Sequence, residues 1–319
     1  MDCPKCKCST SVTKKGFFPH ANIPGGKSQR YRCGICLIWF SQTLGTMMAR
    51  QKRPQLHQPV YELLVSGVSQ RRVARICGTT QITVARKLVL MSRFSNALQE
   101  RRLARMKGSV EAAVFDEMET FEHSKCKPVA IAVAVEEKSR LILRVKAASM
   151  PAKGHLAKIS RRRYGRREDN RKAALGLVLT AISGVAAPSL QVKSDECPRY
   201  PNMVKIYLPG AVHRTFKGRR GCIVGQGELK AGGRDPLFSL NQTCAMIRDN
   251  LKCLARRTWC TTKRIDRLQC RLDLYTSAHN ALIDEKATGK SAKRRKNSAN
   301  SSPERHLLSL AGAGLGAVT

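Results

Sequence analysis

Acidic residues are scarce in this chain, which has 22 Asp and Glu against 59 Lys and Arg and a formal net charge of +37 at pH 7. A charge of this size exceeds what solubility requires and favours a polyanionic partner. Long apolar runs are also missing: there is no stretch of about eighteen apolar residues and no apolar core of a signal peptide. We therefore expect nucleic acid as the partner, no membrane, and a reducing cytoplasm as the compartment.

Two matched cysteine pairs lie at the start of the chain, Cys3-x-x-Cys6 and Cys33-x-x-Cys36, with a loop rich in Gly and Pro between them. Each pair makes a tight turn that points two thiolates at one tetrahedral ion, so the spacing predicts a structural Zn²⁺ held by four sulfurs. Two disulfides or scattered core thiols are the alternative, which is less favoured without an export signal. Cys8 leaves the ligand choice open, because Cys6 and Cys8 could exchange roles.

Residues 1–48 are thus predicted to form a zinc ribbon, a module that docks on nucleic acid or on a partner protein. A small ribbon has little core beyond its metal, so we expect Tyr31, Trp39 and Phe40 to pack its turns rather than stack on bases. The basic segment from Arg50 to Pro59 is bracketed by prolines and is predicted to be a linker.

From Val60 to about Met106 the apolar pattern is helical, with the spacing of a helix-turn-helix between Ser69 and Leu88. Ser69 suits an N-cap, and Gly78 can take the positive φ of a tight turn. In this interpretation residues 81–91 form a recognition helix, and an ordinary helical hairpin is the alternative. The side chains expected to be free to reach bases or phosphates are Gln81, Thr83, Arg86 and Lys87.

Beyond Ser109 the pattern changes to strands. Five segments have strand composition, namely 110–119, 128–135, 141–147, 190–195 and 212–216, and helices are predicted at 170–187, 236–257 and 263–280. The predicted order of elements is three strands, a helix, a strand, a helical connection and a strand. This order predicts an α/β fold with a mixed sheet and flanking helices. This order is expected of an RNase H-like domain, which we place at 107–282 after a helix-turn-helix module at 49–106.

Two carboxylates fall where such a sheet would bring them together. Asp116 lies near the end of the first, central strand and Asp195 ends the fourth, so both can meet at one sheet edge. Hard oxygen ligands in this arrangement hold Mg²⁺ or Mn²⁺ for phosphodiester chemistry. A turn residue or a helix cap is the ordinary role of a single aspartate at a strand end, and the paired placement is what favours catalysis.

The order of these motifs resembles bacterial insertion-sequence transposases of the DDE class, and among them insertion sequence one and its relatives. The resemblance covers residues 1–280 and rests on the ribbon, the helix-turn-helix, residues 115–123, Ser194-Asp195-Glu196 with Tyr200, His213, and Asn241 through Arg248 to Lys263. It implies a transposase of the bacterial nucleoid that cleaves and joins double-stranded DNA, with a possible homo-oligomer on the DNA.

The resemblance also implies roles for individual residues. Asp116 and Asp195 would be the first two members of the catalytic triad, and His213 would be the histidine between the second and third members. The basic helix after Asn241 would grip DNA, including Arg256 and Arg257.

The third acid of that family is replaced here by Asn241, a neutral ligand that should hold a second metal ion more weakly. Asp235 could substitute for it, although an N-terminal helix cap is its simpler role. Two functions therefore stay open, an active transposase and a DNA-binding protein without chemistry, either a decayed transposase or a regulator.

Two further basic segments are assigned to DNA. The patch at 161–167, with Arg162 and Arg163, is predicted to contact DNA, and a solvated loop is its alternative. The tail at 283–319 is basic, and we expect it to be disordered and to add nonspecific affinity.

Overall fold

The N-terminal part is a small antiparallel sheet of order β1-β2-β3, formed by β1 (Val12–Pro19), β2 (Lys27–Cys33) and β3 (Trp39–Ser41). It belongs to a computed structural model that describes residues 1–19, 26–49, 51–217, 235–255 and 260–287. The buried apolar residues of this sheet are Cys3, Cys33 and Phe40. So small a core needs a further source of stability, which the cysteines are placed to supply.

A helical part follows, with a short 3-10 helix (Pro54–Leu56) leading into α1 (His57–Val65), α2 (Gln70–Ile76) and α3 (Gln81–Arg105). Gly78 has a φ of +56° between α2 and α3, as the helix-turn-helix spacing predicts. Val60, Val84 and Leu88 are fully buried in the core of this part. The prediction that the whole segment up to Pro59 is a linker is wrong, because Pro54 and Pro59 both lie in first helical turns, where proline is tolerated.

The second sheet has five strands in the order β6-β5-β4-β7-β8. β4 pairs antiparallel with β5, and β5 antiparallel with β6, whereas β4, β7 and β8 run parallel. The predicted mixed sheet is therefore confirmed, with all five strands within a few residues of their expected bounds. The strands are β4 (Val110–Phe121), β5 (Pro128–Glu136), β6 (Ile142–Ser149), β7 (Ala186–Asp195) and β8 (Val212–Phe216).

After the first three strands comes α4 (Leu156–Tyr164), whose buried Ser160 hydroxyl donates to the Cys126 carbonyl between β4 and β5. Four further helices cover the two faces of the sheet: α5 (Arg171–Val185), α6 (Tyr200–Tyr207), α7 (Phe238–Asn250) and α8 (Ile265–Ala287). One apolar core joins α5 and α6 to the face that carries Phe115, and another joins α7 and α8 to the face that carries Val114. In the part of the chain that the structure describes, no helix is both long and apolar enough to cross a bilayer.

Two helix ends differ from prediction. α7 stops at Asn250 instead of continuing to residue 257, because Leu251 adopts an extended conformation and a short 3-10 helix follows. α8 continues to Ala287, so the segment predicted to be disordered from 283 begins with helix; its remaining residues, 288–319, lie outside the described ones.

The long helix α3 joins the helical part to the sheet. The side-chain amide of Gln99 donates to the carbonyls of Ile142 and Leu143 at 3.0 and 2.9 Å, and Leu274 of α8 lies in the core of the helical part. The predicted segments 49–106 and 107–282 thus share buried contacts through α3 and α8.

Candidate functional site

The four predicted zinc ligands lie together. The Sγ atoms of Cys3, Cys6, Cys33 and Cys36 are all within 4.8 Å of one another, with Cys3 to Cys36 at 3.3 Å and Cys6 to Cys33 at 3.5 Å. A tetrahedron of sulfurs about 2.3 Å from one Zn²⁺ has similar separations. Four thiols without a carboxylate or an open position fit a closed structural zinc site.

The backbone gives the two cysteine turns the same geometry. The Cys3 N–H donates to the Cys8 carbonyl at 2.9 Å, and the Cys33 N–H donates to the Ile38 carbonyl at 3.1 Å. The residue after each second cysteine, Lys7 or Leu37, has a φ of +59°. Lysine and leucine seldom adopt this conformation, and no residue type at these positions predicts it. The strain that the two residues share supports a metal-bound turn at both pairs.

Cys8 lies outside the cluster, and its Sγ contacts the Thr10 hydroxyl at 3.3 Å. The structure therefore favours Cys6 over Cys8 as the ligand. Burial acts to raise the pKa of Cys3, but backbone N–H groups of Cys6 and Lys5 and the neighbouring thiols outweigh it and lower the pKa to about 6. The backbone N–H of Cys8 acts to lower the pKa of Cys6, but burial and hydrogen bonds with the other three thiols outweigh it and raise that pKa to about 12. The free cluster therefore holds protons that zinc binding would release.

The aromatic residues of the ribbon divide between its two faces. The rings of Tyr31 and Phe40 stack at 5.5 Å beside the cysteines, as predicted. Trp39 is 52% exposed, so the prediction that it packs the ribbon is wrong. It precedes Phe40 in a strand and therefore points to the opposite face.

The predicted DNA-reading residues of α3 have different environments. Gln81 and Arg86 are exposed and Thr83 is half-buried, with its N–H donating to the capping hydroxyl of Thr80 at 3.2 Å. Lys87 is buried, its Nζ donates to the Arg53 carbonyl at 2.8 Å, and burial lowers its pKa to about 8. The prediction that Lys87 is free to reach DNA is wrong, because its side chain holds α3 against the segment before α1.

Asp116 and Asp195 lie side by side where the pairing of β4 with β7 ends. Asp195 ends β7 as predicted, but the prediction that Asp116 lies near the end of its strand is wrong, because β4 continues to Phe121. Val114 of β4 pairs with Lys193 of the parallel strand β7, and the two aspartates follow two residues later on each strand. Strand alternation gives them the same face as Val114, the face that α7 covers. Their closeness appears in the pKa of Asp116, which burial and then the charge of Asp195 raise to about 6.

Fixed donors orient both carboxylates. The Oδ1 of Asp116 accepts from the Tyr200 hydroxyl at 3.0 Å and from the Glu117 N–H at 2.6 Å, and the Oδ1 of Asp195 accepts from the Cys197 N–H at 3.0 Å. The Tyr200 ring is 1% exposed and packs against Phe115 at 4.9 Å. Two carboxylates held this close repel each other, and a divalent cation between them relieves that repulsion.

The third predicted ligand lies on α7, which packs on β4. Burial raises the pKa of the Cys244 thiol to about 12; the charge of Arg248 opposes this shift, and the charge of Asp116 adds to it. Because Asp116 affects Cys244, this part of α7 lies near Asp116. Asn241, one turn earlier, donates its amide to Asp235 at 2.8 Å, and Asp235 also accepts from the Leu237 N–H at 2.9 Å as it leads into the helix. Within the described residues, the four cysteines are the one group of three or more candidate ligands clustered within 4.8 Å. Among the described residues, Asp116 and Asp195 thus have no third carboxylate within 4.8 Å of both of them.

His213 does not face the two aspartates. It pairs in register with Val192, and its ring lies 6.1 Å from Phe115, on the face that α5 and α6 cover. Its Nε2 is 2.9 Å from the Ser194 hydroxyl. The position that the family resemblance implies for His213 is therefore across the sheet from the carboxylate pair.

The remaining predicted contacts are on the surface or outside the described residues. Arg162 and Arg163 are exposed on α4, so their segment is helix rather than loop, whereas Arg167 is held by Glu122 at 3.5 Å. Arg256 and Arg257 lie outside the described residues.

Comparison of this sequence with models of protein families and with curated proteins finds no match. The features of the chain that bear on its function are the carboxylate pair, the cysteine cluster and the basic surfaces.

Proposed function

We propose that this protein is a DNA transposase of the DDE class, with a zinc ribbon, a helix-turn-helix and an RNase H-like catalytic domain. The observation that supports this most is the placement of Asp116 and Asp195 on neighbouring parallel strands, on one face, beside a helix that bears Asn241. Its substrate would be double-stranded DNA at the ends of its own element, which it would cleave and join to target DNA.

The sheet supports the proposed RNase H-like fold. Numbered along the chain within the sheet, its strand order is 3-2-1-4-5, with the first three antiparallel and the last two parallel to the central strand. Carboxyl ends of neighbouring parallel strands meet at one edge, where open α/β sheets place their ligands. Asp195 ends its strand at this edge, and Asp116 lies beside it within β4.

The chemistry would be metal-assisted phosphodiester hydrolysis followed by strand transfer. Mg²⁺ or Mn²⁺, when bound, would polarise the scissile phosphate and sharpen the attacking water or 3′-hydroxyl. Asp116 and Asp195 would provide the anionic oxygens, and Tyr200 would hold the Asp116 carboxylate in place through its 3.0 Å hydrogen bond. Because the pKa of Asp116 is about 6, the free site would be fully charged only above that pH.

The basic surfaces would bind the DNA. The net charge of +37 supplies affinity for phosphates, and the exposed Gln81 and Arg86 at the start of α3 are placed to read a groove. Exposed Arg162 and Arg163 would add contacts that do not depend on sequence. Binding of two element ends would favour a homo-oligomer on DNA, at the bacterial nucleoid.

A DNA-binding protein without chemistry is the second candidate, either a decayed transposase or a regulator. The observation that favours it is Asn241, whose amide donates to Asp235 and brings no charge to the two aspartates. An open carboxylate pair with a neutral third group would bind divalent cations weakly.

Cleavage of the DNA that flanks this reading frame decides between the two. We expect the purified full-length protein to cut at inverted repeats in Mg²⁺ or Mn²⁺, and Asp116→Asn or Asp195→Asn to lower the rate by about 10³-fold without loss of DNA binding. Glu119→Gln is the matched control, because Glu119 lies on the same strand in an exposed pair with Lys153.

Asn241→Glu tests the third position in the same assay, and it should raise the cleavage rate at low Mg²⁺. If the wild type does not cleave and Asn241→Glu does not restore cleavage, the protein is a DNA-binding protein without chemistry.

A further inference from the structure

Arginine and aromatic side chains alternate across one face of the ribbon sheet. The Arg30 Cζ lies 5.5 Å from the ring centroid of Phe18 and 5.8 Å from that of Trp39, and the Arg32 Cζ lies 5.7 Å from the Trp39 centroid. We call these four residues the arginine–aromatic row. All three distances are within the range of about 6 Å in which a cation is attracted to an aromatic face.

Strand register places the row on the outer face of the ribbon. Arg32 pairs with Trp39, and Phe18 pairs with Ser28, two residues before Arg30 on β2. The inner face holds Tyr31 and Phe40 beside the cysteines. The row is therefore not part of the ribbon core, and Arg30 and Trp39 are exposed.

Within the described residues, no acidic side chain pairs with the positive charge of the row. The sequence has no Asp or Glu between Asp2 and Glu62, and neither Arg30 nor Arg32 takes part in an ion pair among the described residues. The Nε of Arg32 is buried and has no hydrogen-bond partner there. The lysines and arginines of residues 1–48 are Lys5, Lys7, Lys14, Lys15, Lys27, Arg30 and Arg32.

Stacking on an aromatic ring gives a guanidinium group a defined position. The plane of the group contacts the ring, and its N–H edge stays available for a planar or tetrahedral anion. Arginine binds phosphate with two parallel hydrogen bonds in this way, and less side-chain entropy is lost because the group is already held. Lysine cannot reproduce this geometry, although it carries the same charge.

We propose that the arginine–aromatic row is a binding surface for the phosphodiester backbone of duplex DNA. The inference rests on the proposed DNA-binding function and adds a second contact surface, separate from α3. Charge complementarity argues for this partner, because the row presents two guanidinium groups in a ribbon that has a single acidic residue, Asp2, before Glu62. Contacts to phosphates would position the protein without selecting a base sequence.

Tryptophan fluorescence of the zinc-loaded full chain can test the row, because Trp39 and Trp259 are its two tryptophans. In a Trp259→Phe parent, emission reports on Trp39 alone, and a mixed-sequence duplex of about 30 base pairs should change it on binding. Arg30→Lys/Arg32→Lys keeps the charge and should weaken affinity by about tenfold. Lys14→Ala removes a charge from the other face and should weaken it by about twofold or less.

Zinc content of each variant shows whether the ribbon has stayed folded. If the double variant loses zinc, Trp39→Leu replaces it, because this change removes the stacking and leaves both arginines. Because this variant lacks the reporting tryptophan, its binding and that of the parent are compared by fluorescence anisotropy of labelled DNA. A Trp39→Leu protein that binds DNA as the parent does overturns the row as a DNA contact.

The outcomes separate this inference from the proposed function. If the parent binds DNA and the double variant binds equally well, the row is not a DNA contact, and the proposed function stands. If poly-glutamate of equal charge changes Trp39 emission while DNA does not, the row is not a DNA contact, and the proposed function stands. If the parent does not bind duplex DNA when binding is followed by fluorescence anisotropy of labelled DNA, both proposals fail.

Discussion

The cysteine cluster of the ribbon and the carboxylate pair of the five-stranded sheet differ in what holds their surroundings together. Around Cys3, Cys6, Cys33 and Cys36 the buried core is small, whereas the sheet that carries Asp116 and Asp195 has an extensive apolar core on each face. A metal at the cysteines would therefore maintain a fold. A metal at the aspartates would be bound by a fold that exists without it, as catalysis requires.

The largest effect is expected from loss of a zinc ligand. Cys3→Ser should release the zinc and unfold residues 1–48, because binding of a structural zinc contributes about 10–16 kcal/mol to folding. The sheet should keep its melting transition. Zinc content by elemental analysis and amide hydrogen exchange measure the two regions separately.

Cys8→Ser is the matched control for this comparison, since Cys8 is in the ribbon but outside the cluster. It should keep one zinc per chain. Equal zinc loss in the Cys3 and Cys8 variants would show that the assignment of Cys6 rather than Cys8 is wrong.

Loss of a zinc ligand should destabilise the ribbon, whereas Asp116→Asn should stabilise the five-stranded sheet. Burial and Asp195 raise the folded pKa of Asp116 from 3.8 to about 6, so the stability that this carboxyl contributes is present below pH 4 and is lost as the pH rises through 6. At pH 8 without Mg²⁺, the variant should gain about 3 kcal/mol in free energy of unfolding, and almost nothing at pH 4.

Urea unfolding across this pH range measures the gain, with Glu119→Gln as control. Added Mg²⁺ should reduce the difference, because it stabilises the wild type more than the variant. A gain that is the same at pH 4 and pH 8 would show that ionisation of Asp116 is not its cause.

Tyr200→Phe should have a smaller effect, of about 1 kcal/mol on stability, because one buried hydrogen bond is lost. The Tyr200 hydroxyl lowers the pKa of Asp116, so its removal should raise that pKa further and move the onset of Mn²⁺ binding to higher pH. Tyr207→Phe on the same helix should not move this onset. A purely structural role of Tyr200 would change stability and leave the pH dependence as it is.

At α3 the expected effect is on DNA affinity rather than on stability, and two neighbouring basic residues with different surroundings should differ in it. Arg86→Ala should weaken binding to element ends by about tenfold, because Arg86 is exposed. Lys87→Met should leave affinity within about twofold, because Lys87 is buried and donates to Arg53. Titration of labelled DNA measures both, and a larger loss for Lys87→Met would reverse the assignment.

The strands and the carboxylate pair were predictable from the sequence because their signals are local. A continuous apolar run such as 128–135 fits a buried central strand, and Asp116 and Asp195 each follow an apolar strand core. The parallel pairing of β4 and β7 then brings the two aspartates together, although a long segment of sequence separates them.

The features without a local signal in the sequence depend on tertiary packing. Lys87 follows Val84 by three residues and precedes Met91 by four, so helical periodicity places it on the buried stripe, and its charge alone suggested a free side chain. The turn at Lys7 and the outward face of Trp39 depend on strand register and on the cysteines. Composition does not specify either of them.

Binding of Mn²⁺ to the zinc-loaded full chain tests the central claim, that the sheet edge is a divalent-cation site formed by Asp116 and Asp195. Electron paramagnetic resonance of free Mn²⁺ at pH 8 should show binding to the wild type and to Glu119→Gln. Asp116→Asn and Asp195→Asn should each lower the affinity by about tenfold or more. Equal Mn²⁺ binding by all four proteins, or binding by none of them, would contradict the claim.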